Sequence, residues 1–200
     1  NKTVALRADL NVPVKEGIIL DDSRIEAVIP TVKYLLTKNC KIILMSHFGR
    51  PKAGTFDPQA SLQPIARRIG EMLNQEVDFI SAIKDVKFKS TISLLENTRF
   101  LIGELENNEE LSKNLGSMAE VYVFDAFGTA HREQASTFGA IYQANVSCAG
   151  LLLEAEIEAL TKAIHSNDKP LLSIVGGSKV STKLEVLKNL SQFSDHIITG

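Results

Sequence analysis

The sequence is short of the features that mark several large classes of protein. It has no tryptophan, and its longest apolar stretches, such as Ala149–Leu153 and Leu171–Val175, are far shorter than a membrane span. No apolar segment of the signal-peptide type follows the N-terminus. Its 22 basic and 24 acidic residues give a net charge of −2, so there is no excess of positive charge for nucleic acid or an anionic membrane. We therefore expect neither nucleic acid nor a membrane as a partner.

The two cysteines and several absent motifs narrow the chemistry further. Cys40 and Cys148 are far apart and belong to no CxxC pattern or Cys/His cluster, so we expect no zinc site. A disulfide between them is possible, but reduced thiols in a cytoplasmic protein are favoured. The dinucleotide pattern GxGxxG, the P-loop pattern GxxxxGK[ST] and the hydrolase pattern GxSxG are all absent.

Short apolar runs alternate along the chain with amphipathic segments. This alternation predicts an α/β fold, with a parallel sheet flanked by helices on both faces in a Rossmann-like, three-layer arrangement. The predicted strands are Val4–Leu10, Lys41–Ser46, Val77–Ile80, one in or just before Ser93–Glu96, Glu120–Ala126, Leu171–Val175 and His196–Thr199. The predicted helices are one capped by Asp22-Ser23 that contains Pro30, one capped by Ser61, Asn108–Met118, Gly150–His165 and one from about Ser181. We expect the sequence to be a fragment of a longer chain, cut at both ends.

Polar residues follow several predicted strands, at the edge where open α/β sheets bind ligands. Of the seven arginines, four lie at such positions, whereas Arg67 and Arg68 are interpreted as the solvated face of a helix. The candidate residues at this edge are Asp9, Asn11, Arg24, His47, Arg50, Arg99 and Arg132. Any one of these arginines could be a surface residue or the partner of a nearby acid. Four together favour a small ligand that carries both a carboxylate and a phosphate, because the guanidinium fork pairs with such groups.

A second candidate site is the stretch Gly176–Lys183. Two glycines after a strand let the backbone approach a phosphate, and the N-terminus of a helix follows. Lys179 and Lys183 are four residues apart and would share one helix face if the helix has begun. An ordinary strand-turn-helix corner explains the stretch equally well.

Taken together, these segments resemble the phosphoglycerate kinase family. The resemblance is carried, in order and over nearly the whole chain, by Arg7–Pro13, Ser46–Pro51, Leu95–Phe100, Asp125–Arg132 with Ala135–Thr137, and Gly176–Lys183. It implies the first of two similar domains plus the start of the second. The implied divisions are 1–149 for the 3-phosphoglycerate-binding domain, 150–168 for a hinge helix and linker, and 169–200 for the start of the nucleotide-binding domain.

The resemblance also implies roles for the candidate residues. Asp9, Asn11, Arg24, His47, Arg50, Arg99 and Arg132 would contact 3-phosphoglycerate or 1,3-bisphosphoglycerate. Arg24, Lys179 and Lys183 would also face the transferring phosphoryl group. Lys179 and Lys183, together with Gly177, would contact the phosphates of ATP or ADP. The implied cofactor is Mg²⁺, which would arrive with the nucleotide. It would be bound mainly by the second half of the family's chain, which this sequence lacks. A monomer in the cytoplasm is expected.

Departures from the family pattern are mild. They are Phe124, Gln134, Ser178 and Thr182, and they favour a bacterial member. Two other functions remain open at this stage. One is a stand-alone sensor of a small phosphorylated acid, and the other is an NAD-linked dehydrogenase, which the missing glycine fingerprint disfavours.

Overall fold

The fold is organised by a six-stranded sheet in which all neighbouring strands are parallel. The computed structural model describes residues 2–86, 90–165, 169–177 and 183–200. The strands are β1 (Thr3–Ala8), β2 (Val14–Lys15), β3 (Ile18–Ile19), β4 (Lys41–Met45), β5 (Val77–Ile80), β6 (Ile92–Leu95), β7 (Val121–Asp125), β8 (Ser147–Ala149), β9 (Leu172–Val175) and β10 (His196–Thr199). The order in the main sheet is β5-β6-β4-β1-β7-β8. The predicted parallel sheet is therefore confirmed.

Helices α1 (Ser23–Thr37) and α2 (Gln63–Leu73) pack on one face of this sheet, and α3 (Glu109–Gly116) and α4 (Ala140–Gln143) on the other. Two further helices follow along the chain, α5 (Leu151–His165) and α6 (Leu184–Leu190). One buried cluster joins Val4 and Leu6 of β1 to apolar residues of α1 and α2. A second joins Ala5 of the same strand to α3 and α4. Successive residues of β1 thus enter opposite layers of the core, as the two-residue period of a strand requires.

The seven predicted strands are all present, and three short ones are additional. The hairpin of β2 and β3 is antiparallel and turns at Glu16 and Gly17, whose φ angles are 52° and 78°. Positive φ at both central residues is the requirement of a tight hairpin turn, and glycine meets it without strain. Strand β8 pairs with β7 at the edge of the sheet.

The N-terminus of α1 differs from the prediction in its capping. Asp22 occupies the cap position, but its carboxylate makes no cap bond and instead accepts hydrogen bonds from Arg68 Nε at 2.9 Å and Nη2 at 2.7 Å. The neighbouring Asp21 accepts from the backbone N–H of Ser23 at 2.8 Å. Arg68 thus keeps a partly exposed side chain, at 38%, but it also has a structural role that the sequence interpretation lacks, since it holds the start of α1 against α2.

The chain forms two compact units, Asn1–Glu154 and Ala155–Gly200. The division lies within α5. In the second unit, β9 and β10 form a parallel pair in register from Leu172 opposite His196 to Val175 opposite Thr199. Within the described ranges, no helix has the length and apolar character needed to cross a membrane.

Asp125, at the carboxyl end of β7, fixes the start of α5. Its carboxylate is fully buried and accepts from Thr31 Oγ1 at 2.6 Å and from the backbone N–H of Leu153 at 2.8 Å. Gly150 lies so close that a Cβ there would fall inside the Asp125 carboxyl group. The first turn of α5 is thus packed directly against the end of the central sheet.

Gly150→Ala is expected to destabilise the first unit by about 2 kcal/mol or more, because the added methyl group must displace a buried, hydrogen-bonded carboxylate. Gly128→Ala is the matched control, since a Cβ at Gly128 meets only Asp9 Oδ2, at 3.8 Å. Urea unfolding of both variants measures the difference. Equal stability of the two variants would show that the packing at Gly150 is not tight.

Candidate functional site

The candidate site lies at the carboxyl ends of four neighbouring strands in the middle of the sheet. Asp9 and Asn11 follow β1, and His47 and Arg50 follow β4. Arg99 follows β6, and Arg132 follows β7. Because these strands are parallel and adjacent, their four loops meet at one edge of the sheet.

Asn97 ties two of these loops together. Its Oδ1 accepts from the backbone N–H of Phe48 at 2.9 Å and from that of Arg99 at 3.0 Å. Its Nδ2 donates to the carbonyl of Phe48 at 2.7 Å and to that of Ala60 at 2.9 Å. One buried amide therefore fixes the backbone beside both His47 and Arg99.

Glu96 connects the loop after β6 to the residues that precede α2. Its carboxylate accepts from the backbone N–H groups of Leu62 and Asn97, at 2.9 and 2.8 Å, and from the hydroxyl of Ser61 at 2.8 Å. Glu96 is 7% exposed. All three bonds come from neutral donors, so this carboxylate stabilises the loop carrying Arg99 without neutralising that arginine.

Asp9, Asn11 and Arg24 form the second side of the site. Arg24 makes an ion pair with Oδ2 of Asp9, and Oδ1 of Asp9 accepts from the backbone N–H of Asn11 at 3.1 Å. The side-chain oxygen of Asn11 accepts from the backbone N–H of Gly49 at 2.9 Å. Gly49 has a φ of 58°, a conformation that favours glycine, so the loop after β4 reaches Asn11 through a glycine-specific bend.

Apart from Arg24, the candidate arginines of the site make no ion pair with a carboxylate among the described residues. Among the described residues, Arg50, Arg99 and Arg132 have no carboxylate within ion-pair distance, and the buried Nε of Arg99 has no hydrogen-bond partner. Burial, followed by the positive charge of Arg132, lowers the pKa of Arg99; the negative charge of Glu104 opposes this shift, and the charges of Arg7 and Arg50 add to it. Like charges gathered at one edge without ion-pair partners form a site for an anion.

The structure also brings in a residue that the sequence interpretation missed. Arg7 lies in β1 with no exposed surface, and its Nη2 is 3.4 Å from Nδ1 of His47. Burial lowers the pKa of Arg7, while the nearby charge of Glu104 opposes that shift. A charged residue inside an otherwise apolar strand is the signal that could have identified it.

His47 is buried beside these cations. Burial is the main cause that lowers its pKa to about 4, and the charges of Arg7, Arg99 and Arg132 add to the effect while Asp9 opposes it. The imidazole is therefore neutral at physiological pH, so His47 supplies a hydrogen bond and no charge.

The second candidate site is described only in part. Gly177 has a φ of 132°, and the ammonium group of Lys183 lies where a Cβ of residue 177 would stand. Lys179 lies outside the described residues, as does Ser181. Lys183 precedes the first residue of α6, Leu184, so it is not inside the described helix. Because Lys179 lies outside the described residues, the expectation that the two lysines share a helix face stays a prediction.

Both cysteines are free, Cys40 buried and Cys148 exposed. Within the described ranges, no group of three or more His, Cys, Asp or Glu side chains is placed to hold a metal ion. No residue of the described chain is therefore assigned to a metal.

Comparison with known proteins adds independent information. A family model described as phosphoglycerate kinase matches residues 1–200. The chain is 48% identical over 200 residues to the phosphoglycerate kinase of Desulfovibrio desulfuricans, and 50% identical over 202 residues to that of Haemophilus influenzae. These matches cover 100% of this chain but 51% and 52% of the two relatives. The chain thus spans about half the length of the curated relatives it matches.

Solved structures give the same result. The phosphoglycerate kinase of Coxiella burnetii superposes on the whole chain with a TM-score of 0.91 at 44% identity, covering 52% of that chain. The phosphoglycerate kinase of Pyrococcus horikoshii superposes with a TM-score of 0.86 at 37% identity, covering 53% of that chain.

Proposed function

Since this chain belongs to the phosphoglycerate kinase family, we propose that it carries the acid-substrate site of a kinase that transfers a phosphoryl group from 1,3-bisphosphoglycerate to ADP, giving 3-phosphoglycerate and ATP. The observation that supports this most strongly is the group of Arg50, Arg99 and Arg132, which share one sheet edge and lack carboxylate partners among the described residues. A small acid with a carboxylate and a phosphate would supply the missing negative charge.

The positions of the candidate residues at the sheet edge support specific contacts to the acid substrate. Arg50, Arg99 and Arg132 would bind its anionic groups, and neutral His47 would add a hydrogen bond. Asp9 and Asn11 would meet the hydroxyl of the substrate. Arg24 pairs with Asp9 at one side of this group and has a half-exposed side chain, so it would be free to contact the group being transferred.

The chemistry requires no general base in this chain. A carboxylate is already ionised at neutral pH, so in the reverse direction 3-phosphoglycerate can attack the terminal phosphorus of ATP directly. The carboxylate oxygen forms the new P–O bond, and the bond to the bridging oxygen of ADP breaks. The protein then needs to position the reactants in line, balance the developing charge and exclude water.

The nucleotide part of the proposal rests on fewer described residues. Gly177, Lys179 and Lys183 would meet the phosphates of ATP or ADP, with Lys179 and Lys183 helping the transfer. Mg²⁺ would neutralise phosphate charge when it arrives with the nucleotide, and the described residues offer no cluster of ligands for it. We therefore assign no step to the metal.

The division of the chain suggests how the two substrates would meet. We propose that residues 1–149 form the 3-phosphoglycerate-binding domain, 150–168 the hinge helix and linker, and 169–200 the start of the nucleotide-binding domain. Substrates held on different domains would require closure before transfer. A cytoplasmic, monomeric protein belongs to the same proposal, and light scattering of the purified protein would test the monomer.

A coupled assay tests the proposed reaction. Extended to the length of its relatives, the chain is expected to form ATP from 1,3-bisphosphoglycerate and ADP. The 200-residue chain alone is expected to show no turnover, because the part of the relatives that it does not span would carry most of the proposed nucleotide site. Lack of activity in the extended protein would overturn the proposed reaction. Robust activity of the 200-residue chain would overturn the proposed division of the two sites.

A further inference from the structure

A buried chain of hydrogen bonds runs beneath the candidate site and ends on His47. Arg7 Nε donates to Oγ of Ser136 at 2.9 Å, and Arg7 Nη1 donates to the carbonyl of Ala8. The hydroxyl of Ser136 lies 2.5 Å from Oε1 of Glu104, and its backbone N–H donates to Oε2 at 3.0 Å. Arg7, Ser136 and Glu104 are each at most 1% exposed.

The direction of every bond in this chain is fixed by chemistry. A guanidinium has five N–H donors and no acceptor, so Oγ of Ser136 must accept from Arg7. Its single hydrogen is then available for Glu104, and 2.5 Å is the length expected of a hydroxyl donating to a carboxylate. Glu104 is therefore the counter-charge of Arg7, held one hydroxyl group away.

The same reasoning sets the tautomer of His47. Arg7 Nη2 lies 3.4 Å from Nδ1 of His47. Because the guanidinium can only donate, Nδ1 must present its lone pair. The proton of the neutral ring then lies on Nε2, on the edge of the imidazole that faces away from Arg7.

We propose that Glu104 and Ser136 are positioning residues that act through Arg7 and hold His47 as the neutral, Nε2-protonated imidazole, a fixed hydrogen-bond donor for the anionic ligand. The identity of that ligand rests on the proposed function, but the tautomer does not. Among the candidate residues at the sheet edge, the positive charge offered to the ligand then comes from the arginines and not from His47.

The charges around His47 agree with this assignment. Three cations, Arg7, Arg99 and Arg132, and one anion, Asp9, act on the ring. A second proton would have to enter at Nδ1, directly opposite the guanidinium of Arg7. Burial and these cations lower the pKa of His47 to about 4, so the neutral form persists well below the usual titration range of histidine.

The first test is spectroscopic and needs no ligand. Long-range ¹H–¹⁵N correlation NMR of the histidine rings, recorded on this chain from about pH 5.5 to 8, reports the protonation of each ring nitrogen. His47 is expected to show an unprotonated Nδ1 and a protonated Nε2 throughout, with His131, His165 and His196 as reference signals. A protonated Nδ1, or a His47 that titrates between about pH 6 and 7, would overturn the proposal.

The second test separates positioning from mere stability. In Ser136→Ala, Arg7 loses its Nε acceptor and its link to Glu104, so the Nδ1-protonated tautomer of His47 is expected to become populated. Binding of 3-phosphoglycerate is expected to weaken about tenfold. Glu104→Gln, which removes the counter-charge and keeps the shape, is expected to change the His47 signals in the same sense.

Ser112→Ala is the matched control for both variants. Ser112 is also a buried serine, 2% exposed, but its hydroxyl donates to Asn107 and has no contact with Arg7. It should leave the His47 spectrum and the ligand affinity unchanged. If Ser136→Ala and Glu104→Gln lower the melting temperature but leave the His47 spectrum unchanged, the two residues are structural and the positioning role is wrong. If His47 shows the expected tautomer but 3-phosphoglycerate does not bind, the proposed function fails while the hydrogen-bond assignment stands.

Discussion

Replacing Arg24 with alanine is expected to lower kcat by about 100- to 1000-fold in the chain extended to the length of its relatives. A preorganised donor aimed at charge that develops in the transition state contributes on the order of 3–4 kcal/mol. Arg24 fits this role because its guanidinium pairs with Asp9 at the side of the arginine group and is half exposed, at 51%. Steady-state kinetics at saturating 3-phosphoglycerate and ATP measure the effect.

The pattern of the kinetic change distinguishes two roles for Arg24. A fall in kcat and in kcat/KM together would mean that Arg24 acts in the transition state. A rise in KM with kcat unchanged would mean that it only binds substrate, and the proposed catalytic role would be wrong. Arg67→Ala is the matched control, because Arg67 is exposed on α2 and lies outside the candidate site.

Asn97→Ala is expected to lower the free energy of unfolding of the first unit by about 3 kcal/mol. The substitution leaves the N–H groups of Phe48 and Arg99 and the carbonyls of Phe48 and Ala60 without their partner. Buried polar groups left unpaired each cost about 1–3 kcal/mol, partly offset by local relaxation. The melting temperature should fall by about 6–12 °C.

The same substitution should weaken the site as well as the fold, because Asn97 holds the backbone beside both His47 and Arg99. Asn114→Ala is the control for stability: Asn114 is exposed on α3, and alanine is at least as good a helix former. Thermal unfolding followed by circular dichroism compares the two variants. A stability of Asn97→Ala within about 0.5 kcal/mol of the control would contradict the supporting role of this amide.

Seven of the ten described strands could be predicted, because each of these seven is a short apolar run between polar segments. The sequence does not predict the hairpin of β2 and β3, since two-residue strands leave no period to detect, nor does it predict the three-residue strand β8. Its turn residues, Glu16 and Gly17, were the available signal. The sequence predicts a cap of α1 at Asp22-Ser23, but it does not distinguish which of the two neighbouring aspartates bonds to the backbone there. Asp21 makes that bond because Asp22 is held by Arg68, which lies 46 residues away.

The candidate site shows the same limit. Its exposed arginines could be predicted because they follow strands, and parallel strands bring their carboxyl ends to one edge. The roles of the residues beneath the site could not be predicted, because they depend on partners distant in sequence; the charge of Arg7 within an apolar strand marks that residue but not its partners. Asn97 bonds to Phe48 across 49 positions, and Arg7 bonds to Ser136 across 129. A pattern within a strand or a helix contains no information about such pairs.

Calorimetric titration of this chain with 3-phosphoglycerate, run beside ATP at low and at moderate ionic strength, tests the central claim most directly. The claim is that Arg50, Arg99 and Arg132 form an anion site for a small phosphorylated acid. We expect 3-phosphoglycerate to bind, binding to weaken as salt screens the arginines, and ATP to bind weakly or not at all. Absence of 3-phosphoglycerate binding to the folded chain, or binding that Arg99→Ala leaves unchanged, would contradict the claim.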